Sequence, residues 1–258
     1  MRRRFFVDHF DGRSAELHGH SADHLGRVLR AQRGQVYEVS DGASVWLARV
    51  AEVALGKSGQ SRIGFELIEP VPIREPDLTV KLLLSLIKFD RFEWCLEKVT
   101  ELGAAEVIPL IAARSGRPLI AAAARRAARW EKILLESAQQ SRRLHPPILR
   151  KAVRPGRAFA ESRESVKILL SERAEAEPMR DRLQGALGNS VALAIGPEGG
   201  WTEEESGAAH GAGFLEVSLG ETILRTETAA IAAAAVIRFV LGGGPQAPLS
   251  PRSADTPL

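Results

Sequence analysis

The sequence predicts an α/β protein in which a parallel sheet follows a small barrel-like β part. Three observations predict this: apolar–polar alternation within residues 1–70, a proline-rich stretch at 70–77, and strand–helix alternation from residue 78 onward. The chain has 258 residues, of which 45% are apolar, so it can bury a core without disulfides. With one cysteine, Cys95, and no metal-binding histidine pair, we expect Cys95 to be a buried hydrophobe and no metal to be bound.

The first part reads as strands around one helix. Residues 36–53, with the sequence VYEVSDGASVWLARVAEV, alternate around an Asp-Gly pair and predict a β-hairpin. Residues 61–70 alternate again and predict another strand. Between the chain start and the hairpin, the spacing predicts a helix capped by Ser21 and ended by Gly34.

The second part alternates apolar runs with helical patterns, which is typical of a parallel sheet with crossover helices. Predicted strands are at 78–87, 106–111, 166–171, 191–195 and 214–219. Predicted helices are at 90–103, 121–143, 175–187, 202–211 and 226–241. The Gly/Pro/Ser-rich tail at 243–258 predicts disorder.

Positive charge is concentrated although the net charge is only +3. Residues 114–154 hold eleven Lys or Arg against two Glu, and Arg2, Arg3 and Arg4 open the chain. Such patches favour a polyanionic partner, with a solvated basic face as the alternative. No apolar run is long enough for a signal peptide core or a membrane span, so we expect a cytoplasmic protein.

One short stretch, AIGPEGGWTEEE, raises the question of ligand binding. A buried strand ends at Ile195, and ligands of parallel α/β sheets bind outside the carboxyl ends of strands. The glycines of GPEGG allow a close backbone approach, and Thr202 with Glu205 forms a capping-box pattern for the next helix. The acids that follow disfavour a phosphate there, so we predict a rigid ligand-facing loop, with a tight structural turn as the alternative.

A second strand–loop–helix unit spans residues 218–235, SLGETILRTETAAIAAAA. Arg225 ends its loop and is placed to face a pocket or an anion, and Thr226 or Thr228 is suited to cap the alanine-lined helix. Lys88 and Arg91 stand where another strand gives way to a helix, which places them near the same sheet edge. For each of these charged residues, solvated surface charge is the alternative.

Four stretches in this order closely resemble the RsmE-type methyltransferases of the SPOUT superfamily, which methylate N3 of a uridine in 16S ribosomal RNA. They are KFDRFEWCLEKVTELG, RWEKILLESAQQSRR, IGPEGGWTEEE and LGETILRTETA, and the match covers about residues 1–241. The third loop departs from the family pattern, since Glu221 and Thr222 replace a Pro-Arg pair. That change removes a rigid residue and a positive charge beside the expected pocket.

The resemblance implies a PUA-like RNA-binding β domain at 1–72 and a SPOUT domain with a trefoil knot at 73–242. It also implies a homodimer and S-adenosylmethionine as methyl donor, held among three loops. The residues implied to bind S-adenosylmethionine are Leu170, Ser171, Ile195, Gly196, Pro197, Glu198, Gly199, Gly200, Leu219, Gly220, Ile223, Leu224, Arg225, Thr228 and Ala229.

For catalysis, we expect Arg225 to stabilise charge on the uracil and Glu227 to be a candidate general base. A helix-start acid without a catalytic role is the alternative for Glu227. The residues expected to hold the RNA backbone, within the 30S subunit, are Arg2, Arg3, Arg4, His24, Arg27, Arg30, Lys88, Arg91, Arg142 and Arg143.

Two other functions stay open at this point: a non-catalytic RNA-binding assembly factor, and a SPOUT methyltransferase acting on another RNA. The intact GPEGG and ILRTETA segments weigh against the first alternative. A serine hydrolase, a P-loop enzyme and a dinucleotide-dependent dehydrogenase are disfavoured, since GxSxG, GxxxxGK[ST] and GxGxxG are absent.

Overall fold

A computed structural model of the chain describes residues 3–57, 59–73, 76–173, 175–184, 186 and 188–243. The tail predicted at 243–258 lies outside these residues except for its first position, and Arg2 also lies outside them.

The N-terminal strands form one six-stranded sheet with the order β1-β4-β5-β6-β3-β2. Its strands are β1 (Arg4–Phe6), β2 (Phe10–Asp11), β3 (Ser14–His18), β4 (Val36–Ser40), β5 (Val45–Ala54) and β6 (Arg62–Pro70). The predicted hairpin is confirmed as β4 and β5, which pair antiparallel, and the strand predicted at 61–70 is confirmed as β6. Among the described strands β1 and β2 are the edges and do not pair with each other, so this half-barrel sheet is open and not a closed barrel.

The helix of this part begins earlier than predicted. The short helix α1 (Gly19–Asp23) follows β3 at once and continues as a π-helical turn over His24–Val28. The prediction that Ser21 caps it is wrong, because the N-cap is His18 and Ser21 already lies in the first turn. The helical stretch also ends well before Gly34, and Arg30 follows it with a positive φ of 53°.

The second part is built on a seven-stranded sheet in which every pairing among the described strands is parallel. Its order is β11-β13-β10-β12-β7-β8-β9. The strands are β7 (Thr79–Ser85), β8 (Ala104–Leu110), β9 (Ile148–Leu149), β10 (Val166–Leu170), β11 (Glu177–Pro178), β12 (Ser190–Ile195) and β13 (Leu215–Ser218). All five predicted strands are present, and the apolar runs at 78–87 and 191–195 are neighbours near its centre, where both faces are covered.

Helices cover both faces of this sheet. They are α2 (Phe89–Glu101), α3 (Arg117–Gln140), α4 (Pro155–Glu161), α5 (Met179–Gln184), α6 (Glu203–Gly211) and α7 (Thr226–Leu241). Side chains of α2, α3, α5 and α7 share one core, which includes the fully buried Cys95 and Trp130. The other core joins α4 and α6 through Phe159 and Ala209. The helix α4 was not predicted, whereas the other five were.

A polar joint connects the N-terminal sheet to the end of α3. Arg4 donates to the buried Glu38 carboxylate through Nε at 3.0 Å and Nη2 at 2.9 Å. Arg142, which follows α3, approaches the other oxygen of Glu38 at 3.6 Å. Since Glu38 belongs to β4 and Arg142 to the second part, this carboxylate holds the two parts together.

Two further findings concern the described residues only. No helix among them is long and apolar enough to cross a bilayer. No group of three or more His, Cys, Asp or Glu side chains among them is arranged to hold a metal ion.

Candidate active site

The GPEGG loop links β12 to α6 and is held by a capping box. Thr202 Oγ1 accepts from the backbone N–H of Glu205 at 3.2 Å, and Glu205 Oε2 accepts from the backbone N–H of Thr202 at 3.0 Å. This is the cap predicted from the sequence, and it is confirmed. Glu205 Oε1 also accepts from the backbone N–H of Ala113, so one buried carboxylate ties α6 to the segment after β8.

Trp201 explains why the loop begins with a glycine. Its indole Nε1 donates to the Leu170 carbonyl at 3.0 Å, which fixes the ring beneath the loop. A Cβ on Gly196 would stand 3.2 Å from ring atoms of Trp201, closer than such contacts usually are. Gly200 has a φ of +70°, a conformation that side-chain-bearing residues rarely adopt.

Arg114 is a loop-holding residue that sequence reasoning missed. It donates to the Gly199 carbonyl at 2.6 Å and to the Trp201 carbonyl at 3.2 Å. The sequence contained one signal for it, because Arg114 follows β8 just as GPEGG follows β12, at the same edge of the sheet. By sequence alone, Arg114 is one of the charges of the basic stretch at 114–154.

The third loop connects β13 to α7 and contacts the GPEGG loop. The prediction that Thr226 or Thr228 caps α7 is wrong, because Arg225 is the N-cap residue and makes no side-chain cap bond. Thr226 Oγ1 instead donates to the Gly196 carbonyl at 3.1 Å. The hydroxyl therefore joins two loops that are 30 residues apart in the chain.

These loops and the segment after β10 surround a cavity of about 320 Å³ at the carboxyl ends of β10, β12 and β13. The volume is in the usual range for a small-molecule site. Predicted cofactor-binding residues that line it are Leu170, Ser171, Ile195, Gly196, Pro197, Gly200, Leu219, Gly220, Ile223, Leu224 and Ala229. Glu198, Gly199, Arg225 and Thr228 do not line it. Of these, Gly199 faces Arg114 and Thr228 is exposed.

A second, shallower cavity adjoins the first. Glu198 and Arg225 line it together with Arg91 from α2. Arg91 donates to Glu198 Oε1, and its Nε lies 3.6 Å from Glu227 Oε1. Arg225 is exposed, so its guanidinium is available to a ligand.

Glu227, the candidate base, lines neither cavity. It is 6% exposed and lies between α7 and α2, where its Oε2 has no hydrogen-bond partner. Burial, followed by the nearby charge of Glu227, raises the pKa of the Cys95 thiol to about 12. The acid is thus directed into the helix interface, with Arg91 as its partner.

Some of the predicted RNA-contacting residues are exposed or partly exposed. Arg3 lies 3.4 Å from His24 Nε2, and Arg27 bonds to Asp23 and to the Gly56 carbonyl. Lys88 is exposed at the N-cap of α2.

Two other predicted RNA contacts do not fit an exposed surface. The Arg4 guanidinium is buried against Glu38 in the joint described above. Arg143 donates to the carbonyls of Thr100 and Ala104, and burial, with the charge of Arg238 second, lowers its pKa to about 10. Both guanidinium groups already have protein acceptors, which a count of charges along the chain does not show.

The fold and these loops define the class of protein. Residues 74–238 match the family model described as an RNA methyltransferase domain. The chain is 35% identical over 234 residues to ribosomal RNA small subunit methyltransferase E of Synechocystis, covering 88% of this chain and 72% of the relative. The chain belongs to the ribosomal RNA small subunit methyltransferase E family.

Two solved structures are similar over nearly their whole length. One is ribosomal RNA small subunit methyltransferase E from Neisseria gonorrhoeae bound to S-adenosyl methionine, with a TM-score of 0.81, 30% identity, and 94% of this chain and 99% of that chain covered. The other is a putative methyltransferase from Legionella pneumophila in complex with the same cofactor, with a TM-score of 0.81, 30% identity, and 93% and 98% covered.

Proposed function

We propose that the chain transfers the methyl group of S-adenosylmethionine to N3 of a uridine in 16S ribosomal RNA, within the small ribosomal subunit in the cytoplasm. The observation that carries this proposal is the cavity among three loops at the carboxyl ends of β10, β12 and β13. It comes in a chain whose similar structures from Neisseria and Legionella are bound to that cofactor.

The residues of the cavity fit the cofactor. Leu170, Ile195, Leu219 and Leu224 provide apolar walls, while the glycines of GPEGG leave backbone groups accessible. Ala229, on the first turn of α7, lines the cavity with a small side chain, which leaves room for a ligand. The bound cofactor supplies an electrophilic methyl group on a positively charged sulfur, which needs no metal to react.

The second cavity is the proposed position of the target base. N3 is on the Watson–Crick edge of uracil, so the uridine must be unpaired or turned out of its helix to reach it. The exposed guanidinium of Arg225 would stabilise the negative charge that develops on the uracil oxygens. Glu227 would hold Arg91 in place, since it is buried beside that arginine and away from both cavities.

The RNA backbone would lie across the exposed basic residues of both parts. We keep Arg3, His24, Arg27, Arg30, Lys88 and Arg142 for this role, and Arg2 stays a prediction because it lies outside the described residues. Arg4, Arg91 and Arg143 are left out because their guanidinium groups are bonded within the protein and the residues are not exposed. Arg27 and Arg142 also have protein partners but are exposed, so they are kept. Contacts of this kind give affinity without reading sequence.

The finer architecture is also a proposal. We propose a PUA-like domain at 1–72, a trefoil knot within 73–242, and a homodimer that covers α7. The hydrogen bond from Thr226 to Gly196, which holds two loops against each other, is consistent with a knotted site. The exposure of Phe239, 89%, near the end of α7 is consistent with a covered dimer face. A crystal structure tests the knot, and analytical ultracentrifugation tests the dimer.

The first test is calorimetric titration of the purified protein with S-adenosylmethionine, followed by methyl transfer to 30S subunits. We expect binding by the wild type, N3-methyluridine in 16S RNA, and at least tenfold weaker binding by Gly196→Val, whose side chain would meet Trp201. Gly207→Val is the matched control, because nothing lies near a Cβ at that helical position. RNA binding without cofactor binding would favour a non-catalytic factor, and methylation only of another RNA would reassign the substrate.

A further inference from the structure

The two cavities share a boundary, and that boundary is where a methyl group would pass from donor to base. Five residues line both cavities: Glu172, Pro197, Ile223, Leu224 and Thr226. Of all the titratable side chains that the structure describes, only that of Glu172 lines both. A proton acceptor for uridine N3 has to lie at this boundary, within hydrogen-bond reach of the attacking nitrogen.

Three other carboxylates near the site are paired with arginines. Glu198 and Glu227 are paired with Arg91, and Glu203 is paired with Arg173. In each of these pairs a carboxylate oxygen already faces an arginine, so it is less accessible to a substrate proton. Glu221 lines the first cavity alone, on the side of the third loop.

Glu172 differs from these acids in its surroundings. It lies two residues past the end of β10, and its side chain is exposed. Its Oε1 lies 3.5 Å from where a Cβ on Gly200 would stand, which places the carboxylate against the GPEGG loop. Within the described part of the chain it makes no hydrogen bond and no ion pair.

We propose that Glu172 is the catalytic base of the methyl transfer, an inference that rests on the proposed function. The N3–H bond of uracil breaks and its proton moves to a carboxylate oxygen of Glu172. The electron pair left on N3 forms the bond to the methyl carbon. The sulfur–methyl bond breaks with its electron pair kept on sulfur, so the sulfonium becomes a neutral thioether. Charge and atoms balance without a further reactant.

This assignment replaces Glu227 by a residue on a different loop. Glu227 is buried between two helices, whereas Glu172 faces the space that both ligands would share. RNA seated over the second cavity would cover Glu172 and remove water from it, as an efficient proton transfer requires.

The test compares Glu172→Gln and Glu172→Asp with the wild type, with Glu177→Gln as the matched control. Glu177 is exposed on β11, a few residues further along, and lines neither cavity. For each protein we would measure S-adenosylmethionine affinity by calorimetry, 30S affinity, and the pH dependence of the single-turnover rate of N3 methylation.

We expect Glu172→Gln to bind both ligands within about threefold of the wild type and to methylate at least about 100-fold more slowly at neutral pH. Its rate should rise about tenfold per pH unit, because the ionised fraction of uridine N3 grows tenfold per unit below its own pKa. The wild-type rate should rise less steeply over the same pH range, because the enzyme itself supplies the acceptor for the N3 proton. Glu172→Asp should recover part of the loss, and Glu177→Gln should match the wild type.

Three results would overturn the proposal. One is a Glu172→Gln rate and pH profile equal to those of the wild type. Another is a rate loss matched by an equal loss of cofactor affinity, which would make Glu172 a binding residue. The third is a wild type that binds the cofactor but forms no N3-methyluridine in any RNA, which would remove the proposed function and this assignment together. The first two leave the proposed function intact.

Discussion

The GPEGG loop and the third loop face each other across one cavity but are held very differently. The first is fixed by Arg114, by the buried Trp201 indole and by the Glu205 carboxylate. The third loop, residues 219–225, is joined to its neighbour by the Thr226 hydroxyl at its end, and Ile223 within it is 78% exposed. One wall of the site is therefore built before a ligand arrives, whereas the other has room to adjust to it.

This difference between the loops matters for positions 221 and 222, where the chain departs from the expected family pattern. Glu221 and Thr222, where the resemblance leads us to expect a Pro-Arg pair, are exposed in the loosely held loop. The firmly held loop keeps every residue of its motif. A change of residue in the third loop disturbs few contacts, while the same change in GPEGG would meet a packed neighbour.

The largest effect on the difference between the two loops is expected from removing the Trp201 indole, which lies beneath the GPEGG loop. Trp201→Ala should lower the free energy of unfolding by about 3–5 kcal/mol, because a buried aromatic leaves a cavity behind. Urea unfolding measures this. Trp94→Ala is the control, since Trp94 is 47% exposed on α2 and should cost far less. Equal losses of unfolding free energy in Trp201→Ala and Trp94→Ala would contradict the conclusion that Trp201 anchors the GPEGG loop.

The buried carboxylate of the capping box should have the next largest effect. Glu205→Ala removes the acceptor for two backbone N–H groups, those of Ala113 and Thr202, and should cost about 1–3 kcal/mol of stability. Thermal or urea unfolding measures the loss. Glu204→Ala, at an exposed neighbouring position, should stay within about 0.5 kcal/mol of the wild type. A larger loss at Glu204 would show that helix-start charge matters more than the cap.

Arg114 should affect cofactor binding more than folding. Arg114→Met removes two charge-assisted hydrogen bonds to the loop, and we expect S-adenosylmethionine affinity to fall by about 1.5 kcal/mol, or roughly tenfold. Calorimetric titration measures it. Arg117→Met provides a control, since Arg117 is exposed at the start of α3 and lies outside both cavities. Unchanged affinity in Arg114→Met would mean that the other ties suffice.

Stiffening the third loop should have the smallest effect and would sharpen the contrast. The double change Glu221→Pro and Thr222→Arg introduces the Pro-Arg pair expected from the resemblance. Proline reduces the conformational freedom of a loop, worth up to about 1 kcal/mol. We expect cofactor affinity to rise by no more than about fivefold. Glu221→Ala with Thr222→Ala separates rigidity from the loss of the present side chains. A fall in affinity would show that the loop needs its freedom to close.

Much of the fold could be predicted because its signals are local. Continuous apolar runs identified the buried strands, and an Asp-Gly pair identified the β4–β5 hairpin. The Thr202–Glu205 cap was also predictable, since both partners lie within four residues. Parallel strands place their carboxyl ends together, so the sequence alone predicts on which edge of the sheet the candidate site lies.

What could not be predicted depends on partners far away in the chain. Thr226 has the sequence of a helix cap, but the Gly196 carbonyl competes for its hydroxyl. The sequence predicts Arg4 to be surface charge, because no local signal indicates that Glu38, 34 residues further on, lies within hydrogen-bond reach. Arg114 was missed for the same reason, since its acceptors belong to a loop 85 residues further on.

The carboxylate of Glu38 has a consequence for how a target would be chosen. It is held by Arg4 from its own sheet and approached by Arg142 from the other part, so it contributes to the contact between the N-terminal sheet and the part that carries the cavity. In an enzyme of the proposed function, that joint would fix the distance between the RNA-binding surface and the cavity. A uridine would then be selected by its distance from the RNA backbone that the N-terminal basic residues bind. An assembled ribosomal surface that holds this distance would be a better substrate than the same sequence in a flexible strand.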